Sequence, residues 1–133
     1  MDIQYIVVHC SDTPNGRYHT AEDIHRWHLE RGWDGIGYHS VIRTDGLVDQ
    51  GRPHYWVGSH TAKYNGIAIG VCLIGRDEFS DEQWRSLTGL IHALTLEFPK
   101  AQVVGHRDLN PHKTCPNFDV VSWWAQKQKE SLS

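Results

Sequence analysis

No run of apolar residues in this 133-residue sequence approaches the roughly 18 that a membrane span requires, so insertion into a bilayer is excluded. There is no block of Lys or Arg, and the formal net charge is -3; neutralising phosphates needs a basic face, so nucleic acid is not expected as a ligand. The first residues, Met-Asp-Ile-Gln-Tyr, enter an apolar run with neither a basic segment nor a small-residue cleavage site. A secretory signal is therefore not read, and a protein made and kept in the cytoplasm is expected. Cysteine is scarce: three residues at irregular spacing cannot form a disulfide framework, which leaves thiols free for metal. The helical zinc-peptidase signature His-Glu-x-x-His is missing, and His25 and His28 are read as surface or packing residues. The paired carboxylates of a glycosidase are not evident either. Without repeats or linkers, a chain of this length reads as one domain over residues 1–133.

Histidine, by contrast, is abundant: ten in so short a chain, several beside turn residues, exceed what core packing requires and point to metal or acid-base work. Their setting follows from the pattern of elements. Residues 3–8 are a β-branched apolar run that ends at His9-Cys10-Ser11-Asp12, a buried strand leaving the sheet. Thr20 with Asp23 predicts an N-cap and a helix over 21–31, stopped by Gly32. Thr44-Asp45-Gly46 between residues 38–42 and 47–48 predicts a hairpin whose first strand opens at Tyr38. Residues 53–65 read as a long surface loop of the kind that shapes binding sites.

A central strand follows over 67–74. Ser80 and Gln83 form a capping box, and Phe79 and Trp84 occupy staple positions for a helix ending near Pro99. Val103 and Val104 run into the loop Gly105-His106-Arg107-Asp108, and a last helix bears Trp123 and Trp124. Strands alternate with helices apart from the hairpin, so the expected class is α/β: a central mixed β-sheet flanked by helices on both faces. Trp33, Trp56 and Trp84 at element boundaries are read as core, with stacking on sugar or peptide as the alternative, and Cys10 and Cys72 as buried strand thiols.

In such a sheet His9 and His106 can lie side by side, and the loop after His106 can return Cys115 to them. Two imidazoles and a thiolate suit Zn(II), and three protein ligands leave a position for water. A histidine at a strand end is also a common hydrogen-bonded structural residue, so the residues alone leave both readings open. His112, on the same loop, is a rival ligand.

Seven segments, in order, carry a resemblance to the zinc-dependent N-acetylmuramoyl-L-alanine amidases, the family shared by phage endolysins and peptidoglycan recognition proteins. They are Val-Val-His9-Cys10-Ser11, Trp27-His28 with Gly32-Trp33, Gly37-Tyr38-His39, Val57-Gly58-Ser59-His60, Gly70-Val71-Cys72-Leu73-Ile74-Gly75, Gly105-His106-Arg107-Asp108 and Lys113-Thr114-Cys115-Pro116-Asn117-Phe118-Asp119. The resemblance implies one zinc ion on His9, His106 and Cys115, with Tyr38 and Lys113 assisting catalysis; His39, His60 and Tyr64 are read either as lining the substrate groove or as packing residues.

The implied substrate is peptidoglycan, cut between muramic acid and L-alanine by a monomer that reaches the wall after another protein opens the membrane. The alternative within the family is a non-catalytic module that binds muropeptide. One departure is the spacing: eight residues separate His106 from Cys115, one more than in the most compact phage forms, and His112 lies in that stretch. Arg107 and Asp108 are expected to support the loop, with Asp108 also placed to orient a ligand imidazole.

Overall fold

In the computed structural model, which describes residues 2–132, the long apolar runs become three adjacent strands of a five-stranded sheet. Tyr5–Cys10 (β1), Ala68–Leu73 (β4) and Gln102–Gly105 (β5) carry the Val- and Ile-rich segments. Ser40–Ile42 (β2) and Val48–Gln50 (β3) complete it in the order β3-β2-β4-β1-β5. Strand β1 runs parallel to both β4 and β5, and β2 parallel to β4; only β3 is antiparallel to its neighbour. Parallel strands are covered on both faces, which is why β4 is buried at all six positions.

Alternation along the strands divides the core. Ile6, Val8, Ile69, Val71 and Leu73 face Leu87, Ile91 and Leu94 of Asp81–Glu97 (α2), together with Val120 and Trp124 of Val120–Leu132 (α4). On the opposite face Val41 and Cys72 pack against Ala21 and Ile24 of Ala21–Glu30 (α1). Helices thus cover both faces, as the alternation of elements predicts. No described helix is long and apolar enough to cross a membrane.

The caps follow the sequence closely. Thr20 and Asp23 form a capping box on α1, as do Ser80 and Gln83 on α2. Phe79 meets Trp84 edge to face at 5.7 Å in the predicted staple. Gln83 is buried because its amide also donates to the carbonyls of Ile42 and Ile74, closing the ends of β2 and β4.

Three local expectations are corrected. Tyr38 does not open β2 but precedes it by two residues, although its carbonyl still accepts from Arg52 N–H at 2.9 Å. The second hairpin strand extends to Gln50 rather than ending at Val48. His106 is not on an irregular loop: it opens a single helical turn, His106–Leu109 (α3), because the Asp108 carboxylate accepts the Gly105 N–H at 2.7 Å.

The segment between β3 and the turn Asn65–Ile67 is largely irregular, as expected, but it is firmly tied. His39 accepts from Gly70 N–H through Nδ1 and holds the Trp56 carbonyl through Nε2, while Asn65 Oδ1 accepts the amides of both His60 and Thr61. These bonds fasten the loop over the carboxyl end of the sheet, where α/β folds build their sites.

Candidate metal centre

Strands β1 and β5 are neighbours, so their carboxyl ends deliver two histidines to one place. His9 is the fifth residue of β1 and is 1% exposed; His106 follows β5 directly, and the two ring centroids lie 4.6 Å apart. The loop after α3 turns back because Arg107 N–H donates to the Cys115 carbonyl at 2.9 Å. Cys115 Sγ then accepts the Cys10 amide N–H at 3.0 Å. As a result one ligand atom from each of His9, His106 and Cys115 lies within 4.8 Å of the others.

The electrostatics suit a cation at this point. Burial, reinforced by the charges His60 and His106 would carry, holds the His9 pKa well below its usual value. Burial and then the Lys113 ammonium lower that of His106. Both imidazoles are therefore neutral and keep a lone pair for a metal. The neighbouring Cys10 thiol, and then burial, push the Cys115 thiol up, against the hydrogen bond from the Cys10 backbone. A divalent cation bound there would favour the thiolate instead. Two neutral nitrogens and one sulfur that takes up negative charge fit a zinc-type centre with an open position.

A groove of about 580 Å³ opens over the cluster, with His28, Trp33, Tyr38, His60 and Lys113 among its lining residues. The Tyr38 ring lies 5.1 Å from that of His9. Burial, and then the thiols of Cys72, Cys115 and Cys10, raise the Tyr38 pKa well above normal, so its hydroxyl remains a donor. Lys113 stands on the exposed rim, its N–H bonded to the Asn110 carbonyl at 3.1 Å.

The other expected residues separate. His60 lines the groove, but its Nδ1 is turned to His9 Nε2 at 3.0 Å. His39 is fully buried in the loop ties and does not line the groove. Tyr64 is also away from it, packed edge to face on Tyr5 at 5.6 Å. His112 is exposed on the rim and outside the ligand cluster. Asp108 caps α3 rather than bonding a ligand imidazole.

Trp33 and Trp56 are 40% and 55% exposed, against the expectation of core, whereas Trp84 packs on the main core as expected. His28 is another groove residue that the sequence left as packing: Gly37 N–H donates to its Nδ1, which directs the other nitrogen elsewhere. The Cys10 amide and Thr61 had no sequence signal, since a backbone donor and a threonine hydroxyl acquire roles only through their neighbours.

A model of the family described as N-acetylmuramoyl-L-alanine amidase matches residues 1–118. The endolysin of Enterobacteria phage K11 is 40% identical over 124 residues, 87% of this chain and 82% of the relative. The endolysin of Escherichia phage T7 is 37% identical over 131 residues, 92% of this chain and 86% of the relative. Among solved structures, the N-acetylmuramoyl-L-alanine amidase LysC from Clostridium intestinale superposes with a TM-score of 0.83 at 31% identity, covering 98% of this chain and 86% of that one.

Proposed function

The chain belongs to the N-acetylmuramoyl-L-alanine amidase family and is a phage-type peptidoglycan amidase; we propose that it works through one zinc ion held by His9, His106 and Cys115. The observation that carries this reading is the approach of those three ligand atoms to within 4.8 Å under an open groove.

Zinc bound there supplies Lewis-acid polarisation of the scissile carbonyl and a water of lowered pKa. The chain supplies the remainder. His9 and His106 contribute neutral nitrogen donors, and the Cys10 N–H stabilises negative charge on Cys115 Sγ. Tyr38 offers a protonated hydroxyl beside His9, and Lys113 offers an ammonium on the rim; both are donors for an oxyanion that develops in the transition state. They differ in setting, because Lys113 is exposed whereas Tyr38 is held by packing.

The substrate is peptidoglycan, and the groove over the cluster is the place in this reading where the muramic acid to L-alanine junction binds. The action is on the cell wall, in keeping with the phage relatives. Purified protein loaded with zinc is expected to clear chelator-treated cell walls and to release new amino termini on L-alanine. Release of reducing sugar ends instead, or wall binding without turnover, overturns the reading.

A further inference from the structure

The side chains behind His9 form a closed group of three. His9 Nε2 lies 3.0 Å from His60 Nδ1 and 3.3 Å from Thr61 Oγ1, and His60 Nδ1 lies 2.9 Å from the same hydroxyl. We propose that His60, with Thr61, is a positioning residue for His9: it accepts a hydrogen bond from His9 Nε2–H and so leaves His9 Nδ1 bare for the metal. The proposal rests on His9, His106 and Cys115 being the zinc ligands.

The proton inventory carries the argument. A neutral imidazole has one N–H and one lone pair. If the proton between the two rings belonged to His60 Nδ1, His9 Nε2 would accept it, the His9 proton would sit on Nδ1, and that nitrogen would be closed to a metal. Only the reverse arrangement, with His9 Nε2–H donating to His60 Nδ1, presents a lone pair toward His106 and Cys115. The Thr61 hydroxyl can donate to His60 Nδ1 or accept from His9 Nε2–H, so it supports this arrangement. An outer partner that fixes the tautomer and orientation of a ligand histidine is the general device of metal sites.

His60 is suited to the task because its own position is set by other parts of the fold. Its amide and that of Thr61 both donate to Asn65 Oδ1, at 2.9 and 2.8 Å. Its ring lies against two glycines: a Cβ on Gly70 would come within 2.6 Å of His60 Cγ, and one on Gly58 within 2.5 Å of Cδ2. With Nδ1 reserved as the acceptor for His9, the His60 proton is displaced to Nε2, where the Ala68 backbone is the acceptor at hand.

The test is zinc affinity, measured with the metal alone against a chromophoric chelator, in His60→Leu, His60→Asn and His9→Ala. His60→Leu keeps the bulk and removes the acceptor; its zinc dissociation constant is expected to rise on the order of 10- to 100-fold. His60→Asn, whose Oδ1 falls near the place of Nδ1, is expected to recover most of that loss, which a merely space-filling role would not produce. In the zinc-loaded native chain, long-range proton-nitrogen correlation spectra are expected to show His9 protonated at Nε2 and metal-bound at Nδ1.

Native affinity in folded His60→Leu overturns the positioning role, and so does His9 coordinating through Nε2, a result that stands even where the leucine variant does not fold. Native affinity in His9→Ala overturns the underlying ligand assignment instead. The two failures are therefore distinguishable.

Discussion

Cys115 Sγ sits 3.0 Å from the amide nitrogen of Cys10, so a residue brought from 105 positions away is held against the strand that carries His9. The bond places the sulfur beside the two imidazoles and offers a donor to its negative charge. Replacing Cys115 with Ser keeps an acceptor for the Cys10 N–H but removes the soft ligand. Zinc affinity is expected to fall by more than the roughly 10- to 100-fold typical of outer-sphere changes, with loss of wall cleavage. Chelator competition measures the first effect; full activity at stoichiometric zinc would remove Cys115 from the ligand set.

Lys113 stands at the rim and is not part of the ligand cluster. Lys113→Ala is accordingly expected to leave zinc bound while lowering turnover by about 2.7 to 4 kcal/mol, the ordinary value of one oxyanion donor. Turnover and zinc content should be measured on the same preparation. An unchanged rate would make Lys113 a bystander.

His28 ties stability to pH. Burial, followed by the Arg31 charge, lowers its pKa from 6.5 to about 4. The unfolded chain therefore binds this proton more readily than the folded one between those values. The corresponding stability is fully present above 6.5 and is lost as pH falls toward 4, by up to about 3 kcal/mol. His28→Asn keeps an acceptor for the Gly37 N–H but cannot titrate there, so urea unfolding from pH 7 to pH 4 should show a shallower decline for the variant. Parallel declines would count against His28 as the responsible group.

Asp49 links the hairpin to the first helix. One carboxylate oxygen accepts the Ala21 N–H at 2.9 Å and Arg43 Nε at 2.7 Å, and the other accepts Arg43 Nη2 at 2.6 Å. Burial alone would raise this carboxyl's pKa, but the bonds from Arg43 and Ala21 outweigh it and hold it low. Asp49→Ala is expected to cost about 1 to 3 kcal/mol, read from the urea midpoint at neutral pH. A midpoint within error of the native value would show that the link is not stabilising.

The strands, the helices and their caps were legible in the sequence because each depends on local spacing. Ser80 with Gln83, and Phe79 with Trp84, act over three to five positions, so their pattern survives without tertiary information. The proposed ligands were legible as candidates that neighbouring strand ends and a returning loop can bring together. His9 and Cys115 lie on distant segments, and their spacing alone does not state that the segments meet; the family resemblance implied that they do. Where the sequence misled, a distant partner had changed a residue's role. His39 resembled a groove residue but is consumed by bonds to Gly70 and Trp56, and Trp33 resembled core yet lies on the groove wall.

By itself, then, the sequence determined the α/β alternation, the extents of α1 and α2 and the donor types able to hold a metal, since periodicity, capping and side-chain chemistry are properties of short stretches. Only the tertiary structure decided that β1 and β5 lie side by side, that Cys115 rather than His112 completes the cluster, and that His60 faces His9. Those relations depend on which strands pair and on how a loop returns across the sheet. Such long-range choices come from burying the whole core at once, and no local pattern encodes them.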